Sequence, residues 1–201
     1  MQPPARLHPI EEESYRILAS RVDLDRWPPL SRAVVARVIH AAADVAYADS
    51  LVVDEAACAA GVEALRRGAP VIADVEMVAV GARRTGAASL LAEGRPLAAQ
   101  DPDLTVSAAA MRVAAERWPE GAVVAVGNAP TALFEVIRLA AAGLFAPALV
   151  IGLPVGFVGA ADSKAALRES GLPSISNVGE RGGSAVAAAA LNALHRLAVN
   201  P

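Results

Sequence analysis

The segment Ala122-Val123-Val124-Ala125-Val126-Gly127-Asn128-Ala129-Pro130-Thr131 decides the fold. Its first half is apolar without alternation, which is the pattern of a strand covered on both faces, as in a parallel sheet. Its second half is a strand-to-helix turn. Gly127 ends the strand, Asn128 is placed to cap, and Pro130 falls where a first-turn proline loses no hydrogen bond. Leu149-Val150-Ile151 repeats the apolar run and is followed by Gly152 and Pro154. These two strands are therefore expected to be adjacent and central.

Outward from this centre, short β-favouring runs alternate with helical stretches. The runs are 50–53, 70–73, 104–106, 122–126, 148–151 and 174–176. The helical stretches are 54–67, 74–83, 108–118, 130–142, 160–170 and 183–198. Two further helices, 11–21 and 30–45, precede them and are separated by Trp27-Pro28-Pro29. Residues 1–9 read as an arm, and 86–103 as the one long loop-like insertion. The expected architecture is α/β: a doubly wound parallel sheet of five strands with helices on both faces, in one domain spanning 1–201.

Composition supports a packed domain. The 201 residues are 55% hydrophobic, 3% aromatic and 19% charged, so the core is built from small side chains and intrinsic disorder is excluded. A formal net charge of -3 gives no overall basic excess for a nucleic-acid backbone. The single cysteine, Cys58, excludes an intrachain disulfide and reads as a small buried hydrophobe. The three histidines are scattered, without paired metal-ligand spacing, and no metal is expected. The longest apolar stretch, 146–161, is interrupted by Pro147, Gly152, Pro154, Gly156 and Gly159, which makes a poor membrane span. No apolar signal-peptide core follows Met1. A cytoplasmic location, without nucleic acid or membrane partners, is expected.

In an open parallel sheet, ligands gather beyond the carboxyl ends of the strands. Three segments fall there: Gly127 to Thr131, Pro154 to Lys164, and Asn177 to Ser184, the last containing Gly179-Glu180-Arg181-Gly182-Gly183. Each alone reads as strand-to-helix punctuation, but together they outline a pocket. Neither the phosphate-loop pattern nor a Gly-x-Gly-x-x-Gly after the first strand is present, so a nucleotide lacks its usual support. Backbone N–H groups and the Arg181 guanidinium can equally hold carboxylates. His40, in Arg37-Val38-Ile39-His40-Ala41-Ala42-Ala43-Asp44, lies among apolar neighbours with Asp44 four residues on. An imidazole exchanges protons near neutrality, so His40 is a candidate general acid, with a packed structural histidine as the alternative. His8 and His195 have weaker claims. No Gly-x-Ser-x-Gly elbow supports a serine triad.

Taken together, Arg37-Val38-Ile39-His40, Gly127-Asn128-Ala129-Pro130-Thr131-Ala132-Leu133, Pro154-Val155-Gly156-Phe157-Val158 with Ser163-Lys164, and Gly182-Gly183-Ser184 with Asn192-Ala193-Leu194 resemble the precorrin isomerase family, also called precorrin-8X methylmutase. The resemblance runs from about His8 to Leu197 in family order. It implies a flavodoxin-like fold, a homodimer with the pocket near the subunit contact, and no dissociable cofactor. It also implies an isomerase of cobalamin synthesis that moves a methyl group on ring C of a corrin precursor, giving hydrogenobyrinate or its cobalt counterpart.

Within that resemblance His40 matches the catalytic histidine, a proton donor to the macrocycle. Ser14, beside Tyr15, matches a substrate contact. Asn128, Thr131, Ser163, Lys164, Arg181 and Ser184 are the candidate donors for the substrate's carboxylate arms, and the alanine-rich walls suit the macrocycle itself. Two departures stand out. Thr105-Val106-Ser107 has no arginine where the family usually shows Thr-Arg, and Ala41-Ala42-Ala43 replaces a stretch containing Thr and Gly. A protein that binds and hands on a corrinoid with weak catalysis is the alternative function. A flavin- or nucleotide-binding domain is a third.

Overall fold

A computed structural model describes residues 8–200. The N-terminal arm therefore falls almost wholly outside the described residues. The chain enters through α1 (Pro9–Arg21), α2 (Pro29–Ala42) and the single turn α3 (Tyr47–Ser50). Strand β1 (Leu51–Val53) follows, then α4 (Glu55–Arg66), β2 (Val71–Ala73), α5 (Glu76–Gly81), β3 (Ala88–Ser89) and α6 (Leu91–Ala98). The remainder alternates: α7 (Val106–Arg117), β4 (Val123–Val126), α8 (Pro130–Ala141), β5 (Leu149–Gly152), α9 (Ala160–Glu169), β6 (Ser174–Asn177) and α10 (Ser184–Val199).

The sheet order is β1-β6-β5-β4-β2-β3. Five strands, β2 to β6, run parallel, and β1 joins the edge antiparallel to β6, so the sheet has six strands rather than five. Counted among the parallel strands alone, the order is the flavodoxin-like 2-1-3-4-5. Strands β4 and β5 are adjacent at the centre, with Val123 opposite Leu149 and Val126 opposite Gly152.

Strand periodicity divides the apolar runs between two cores. Val123, Ala125, Leu149 and Ile151 face α2, α4 and α10, together with Val34, Val38, Cys58 and Leu191. Val124, Val126 and Val150 face the opposite side, with Met111 of α7, Leu133 and Val136 of α8, and Leu167 of α9. Both faces are thus buried, which is why these strands show no alternation in sequence.

Three further sequence expectations differ from the structure. The run 104–106 is not a strand: the Thr105 side chain accepts from Ala108 N–H and caps α7, and Val106 is already helical. The stretch 86–103 is not a plain loop but contains β3 and α6. Finally, α2 stops at Ala42 instead of continuing to Val45, because Ala43 adopts a left-handed conformation with φ of 51°.

Candidate active site

The early stop of α2 removes Asp44 from the helical face that carries His40. The Asp44 carboxylate instead accepts from Ala46 N–H at 2.9 Å and pairs with the Arg181 guanidinium at 2.8 Å. The partner of His40 is Ser14, whose Oγ lies 2.8 Å from Nδ1. Tyr15, the next residue, stacks on the imidazole with ring centroids 4.9 Å apart and planes 16° from parallel. One turn earlier on each helix, Glu11 accepts from the Arg37 guanidinium at 2.8 Å, which fixes the two helices against each other. The imidazole is thus held by its Nδ1 and by one face. Among the described residues, no protein group hydrogen-bonds Nε2.

This pairing suits proton transfer. A hydroxyl both donates and accepts. Ser14 Oγ can accept from Nδ1–H both in an imidazolium and in the neutral ring left after Nε2 gives up its proton, so the ring keeps its place through the transfer.

The carboxyl edge of the sheet is close by. At the topological switch point between β2 and β4, the buried Asp74 carboxylate accepts from the N–H groups of Gly127, Asn128 and Ala129 at 3.0, 2.8 and 2.7 Å. Burial pushes this carboxyl above its usual range, and the three N–H donors pull the other way. Asp74, not Asn128, therefore satisfies the start of α8. These are also the donors that a bound phosphate would need in a fold of this type, so the turn is already filled by the chain's own anion.

The other candidate residues separate into exposed and buried sets. Asn128 and Thr131 face solvent at this edge, and Thr131 Oγ1 lies 2.8 Å from Thr105 Oγ1, joining the starts of α7 and α8. Arg181 is exposed, and Ser184 is buried in the first turn of α10. Ser163 and Lys164 lie beneath this surface and are fully buried. Ser163 Oγ donates to the Ala160 carbonyl at 3.0 Å. Lys164 Nζ donates to Asn177 Oδ1 at 3.0 Å and to the Arg181 carbonyl at 2.5 Å. Burial, with the Arg168 guanidinium nearby, pushes the Lys164 amine down to about 8.

Tyr15 also borders a cavity of about 830 Å³, lined in part by Arg37, Arg83, Arg84, His195 and Arg196. Tyr15 is the wall shared between this cavity and His40. Burial and Arg84 hold His195 below the usual histidine range, favouring its neutral form. A smaller cavity of about 420 Å³ lies at the amino end of β6, between Ala57, Arg168 and Pro173, away from His40. No cluster of three or more His, Cys, Asp or Glu side chains among the described residues is arranged to hold a metal ion.

Residues 9–197 match the family described as precorrin-8X methylmutase. A cobalt-precorrin-8 methylmutase from Priestia megaterium is 39% identical over 199 residues, covering 94% of this chain and 87% of the relative. A precorrin-8X methylmutase from Pseudomonas aeruginosa is 41% identical over 196 residues, covering 92% and 93%. The crystal structure of precorrin-8X methylmutase from Thermus thermophilus superposes with a TM-score of 0.86 at 39% identity, covering 95% of this chain and 96% of that one. The precorrin-8X methylmutase family is the family to which this chain belongs.

Proposed function

We propose that this chain is an isomerase that moves a methyl group within ring C of a corrin precursor during cobalamin biosynthesis, with His40 as proton donor. The observation that carries the reading is the 2.8 Å Ser14–His40 contact, which holds Nδ1 and leaves Nε2 without a protein partner among the described residues. In the forward step, Nε2–H protonates the macrocycle. The electron demand this creates draws the methyl group, with its bonding pair, to the neighbouring ring carbon. Loss of a proton from the rearranged macrocycle restores the balance, so no atom is gained or lost.

The surroundings fit a large polycarboxylate. Arg37, Arg83, Arg84 and Arg196 line the cavity that Tyr15 borders, and Thr131 and Asn128 lie exposed at the carboxyl edge, whereas the Arg181 guanidinium is engaged by Asp44. Guanidinium groups bind carboxylates through paired, charge-assisted hydrogen bonds. The same reading includes a homodimer in the cytoplasm. Phe157 and Val158, 92% and 89% exposed in the single chain, form an apolar patch with Val155 and Phe134 beside the site, which a second copy would cover. No helix among the described residues is long and apolar enough to cross a membrane.

Relatives at similar identity are named as precorrin-8X methylmutases and as cobalt-precorrin-8 methylmutases. Absorption spectroscopy with a molar excess of metal-free or cobalt-loaded precursor therefore tests the reaction and its substrate together. Catalysis gives spectral conversion of a molar excess of precursor. Conversion that never occurs, with only a stoichiometric spectral change, would instead make the chain a corrinoid carrier.

A further inference from the structure

The buried lysine of α9 has no route to substrate, yet everything it touches leads toward His40. Its two acceptors, Asn177 Oδ1 and the Arg181 carbonyl, lie at either end of the turn between β6 and α10. Asn177 Nδ2 donates to the same Arg181 carbonyl at 2.9 Å, closing a triangle of lysine, amide and main chain. Arg168, one turn further along α9, donates to the Asn177 carbonyl at 3.0 Å. From the other side, Gly183 N–H donates to the Leu153 carbonyl at 2.8 Å, and Gly156 N–H to the Glu180 carbonyl at 3.2 Å. At Gly182, a Cβ would come within 2.3 Å of the Leu153 and Pro154 carbonyl oxygens, so only glycine lets the turn lie this close.

While the Arg181 main chain is gripped from below, its side chain leaves the turn on the outer side and reaches Asp44 at 2.8 Å. Asp44 sits immediately after Ala43, the residue that ends α2, and four residues after His40. A continuous set of contacts therefore runs from Lys164 through the Arg181 backbone and side chain to the end of the helix that bears the imidazole. A methionine of similar length would fill this apolar position without desolvating a charge. The amine thus adds direction to the site that packing alone would not.

We propose that Lys164 is a positioning residue, which through the Asn177–Arg181 turn and the Arg181–Asp44 pair sets the end of α2 and hence the placement of His40. The proposal rests on the reading of His40 as proton donor. Lys164→Met preserves length and burial but removes both donated hydrogen bonds. It should bind the metal-free precursor with a KM within twofold of the parent while the single-turnover rate falls about tenfold.

Arg181→Gln, at the exposed end of the path, tests the same route without disturbing the interior. Its rate should fall three- to tenfold at unchanged KM, and the double variant should be no slower than Lys164→Met alone, because two residues on one path are not additive. Multiplied rate losses in the double variant would overturn the proposal. So would a raised KM at the parent rate in either single variant, since that marks direct substrate contact. If Lys164→Met fails to fold, the rate and KM of Arg181→Gln decide in the same way. His40→Asn is the separate control: turnover at the parent rate in that variant removes the proton-donor reading, whatever Lys164 does.

Discussion

Ser14 Oγ stands 2.8 Å from His40 Nδ1, and the two residues come from different helices, 26 positions apart. Each of them alone is an ordinary helical residue; the pair is an imidazole fixed in orientation through its Nδ1. His40→Asn retains polarity and approximate size but has no titratable proton. It should fold and bind precursor while the migration rate falls about 10² to 10⁴-fold, the usual contribution of a positioned acid or base. Ser14→Ala leaves the imidazole in place without its anchor. Losing one hydrogen bond of about 1–2 kcal/mol should slow the single-turnover rate roughly 5- to 30-fold. Stopped-flow absorption of both variants, with thermal melts alongside, separates this outcome from a purely structural histidine, which would lower stability and leave the rate of the folded fraction intact.

Asp74 makes the second prediction. Its carboxylate accepts three N–H groups across the switch point of the sheet, and its partners lie 53 to 55 residues away. Asp74→Ala leaves those donors without their acceptor, and the Gly127 N–H is buried. Water can reach the more open positions, so the expected loss is roughly 2–4 kcal/mol rather than the full sum. Denaturant unfolding at neutral pH measures it, and a loss below about 1 kcal/mol would mean that the turn holds itself.

The two central strands and the three carboxyl-edge loops are legible in the sequence because burial on both faces and turn chemistry are local signals. The geometry around His40 is not local in the same sense. Reading Asp44 as the partner of His40 required the helix to continue, and nothing in Ala41-Ala42-Ala43 marks a stop, since alanine is a strong helix former. The missed helix α6 has a comparable cause. It carries Gly94 and Pro96, which read as loop punctuation, but a Cβ at Gly94 would lie 2.7 Å from Ala110 N and 2.8 Å from Val106 O. The glycine permits close packing against α7, a tertiary reason with no trace in the neighbouring sequence. Ser163 and Lys164 fall within the helix expected at 160–170, but the sequence does not mark which face of α9 turns inward, and both side chains prove fully buried.

Ala43 yields a stability prediction free of any functional assumption. It is the only non-glycine residue with positive φ among the described residues, and its Cβ crowds the following carbonyl in that conformation. Ala43→Gly relieves this strain, offset in part by the greater freedom of glycine in the unfolded chain. A net gain of about 0.5–1 kcal/mol is expected in denaturant unfolding. A loss would mean that the end of α2 relies on helical propensity rather than on the left-handed cap.

Glu135 contributes to the acid limb of stability. The side chain is buried on α8 and accepts from the Arg112 guanidinium at 2.6 Å and from Arg138 at 2.9 and 2.7 Å. Burial alone pushes its carboxyl up, but hydrogen bonds and charge from Arg138 and Arg112 outweigh it, so the group stays below its ordinary value of 4.5. A carboxyl depressed in the folded state contributes stability above its unfolded value, and that stability is lost as pH falls through the folded value. Between these two values the unfolded chain binds more protons than the native one, which makes stability rise with pH there. Glu135→Gln keeps the shape but removes the charge, leaving two guanidiniums facing a neutral amide. It should cost roughly 1–2 kcal/mol at pH 7 and flatten the pH dependence below about 4.5. Urea titrations of parent and variant at pH 7 and at successive steps below pH 5 test both parts. A stability difference between the two proteins that stays constant down to acid pH would show that the Glu135 charge is not what holds α7 and α8 together.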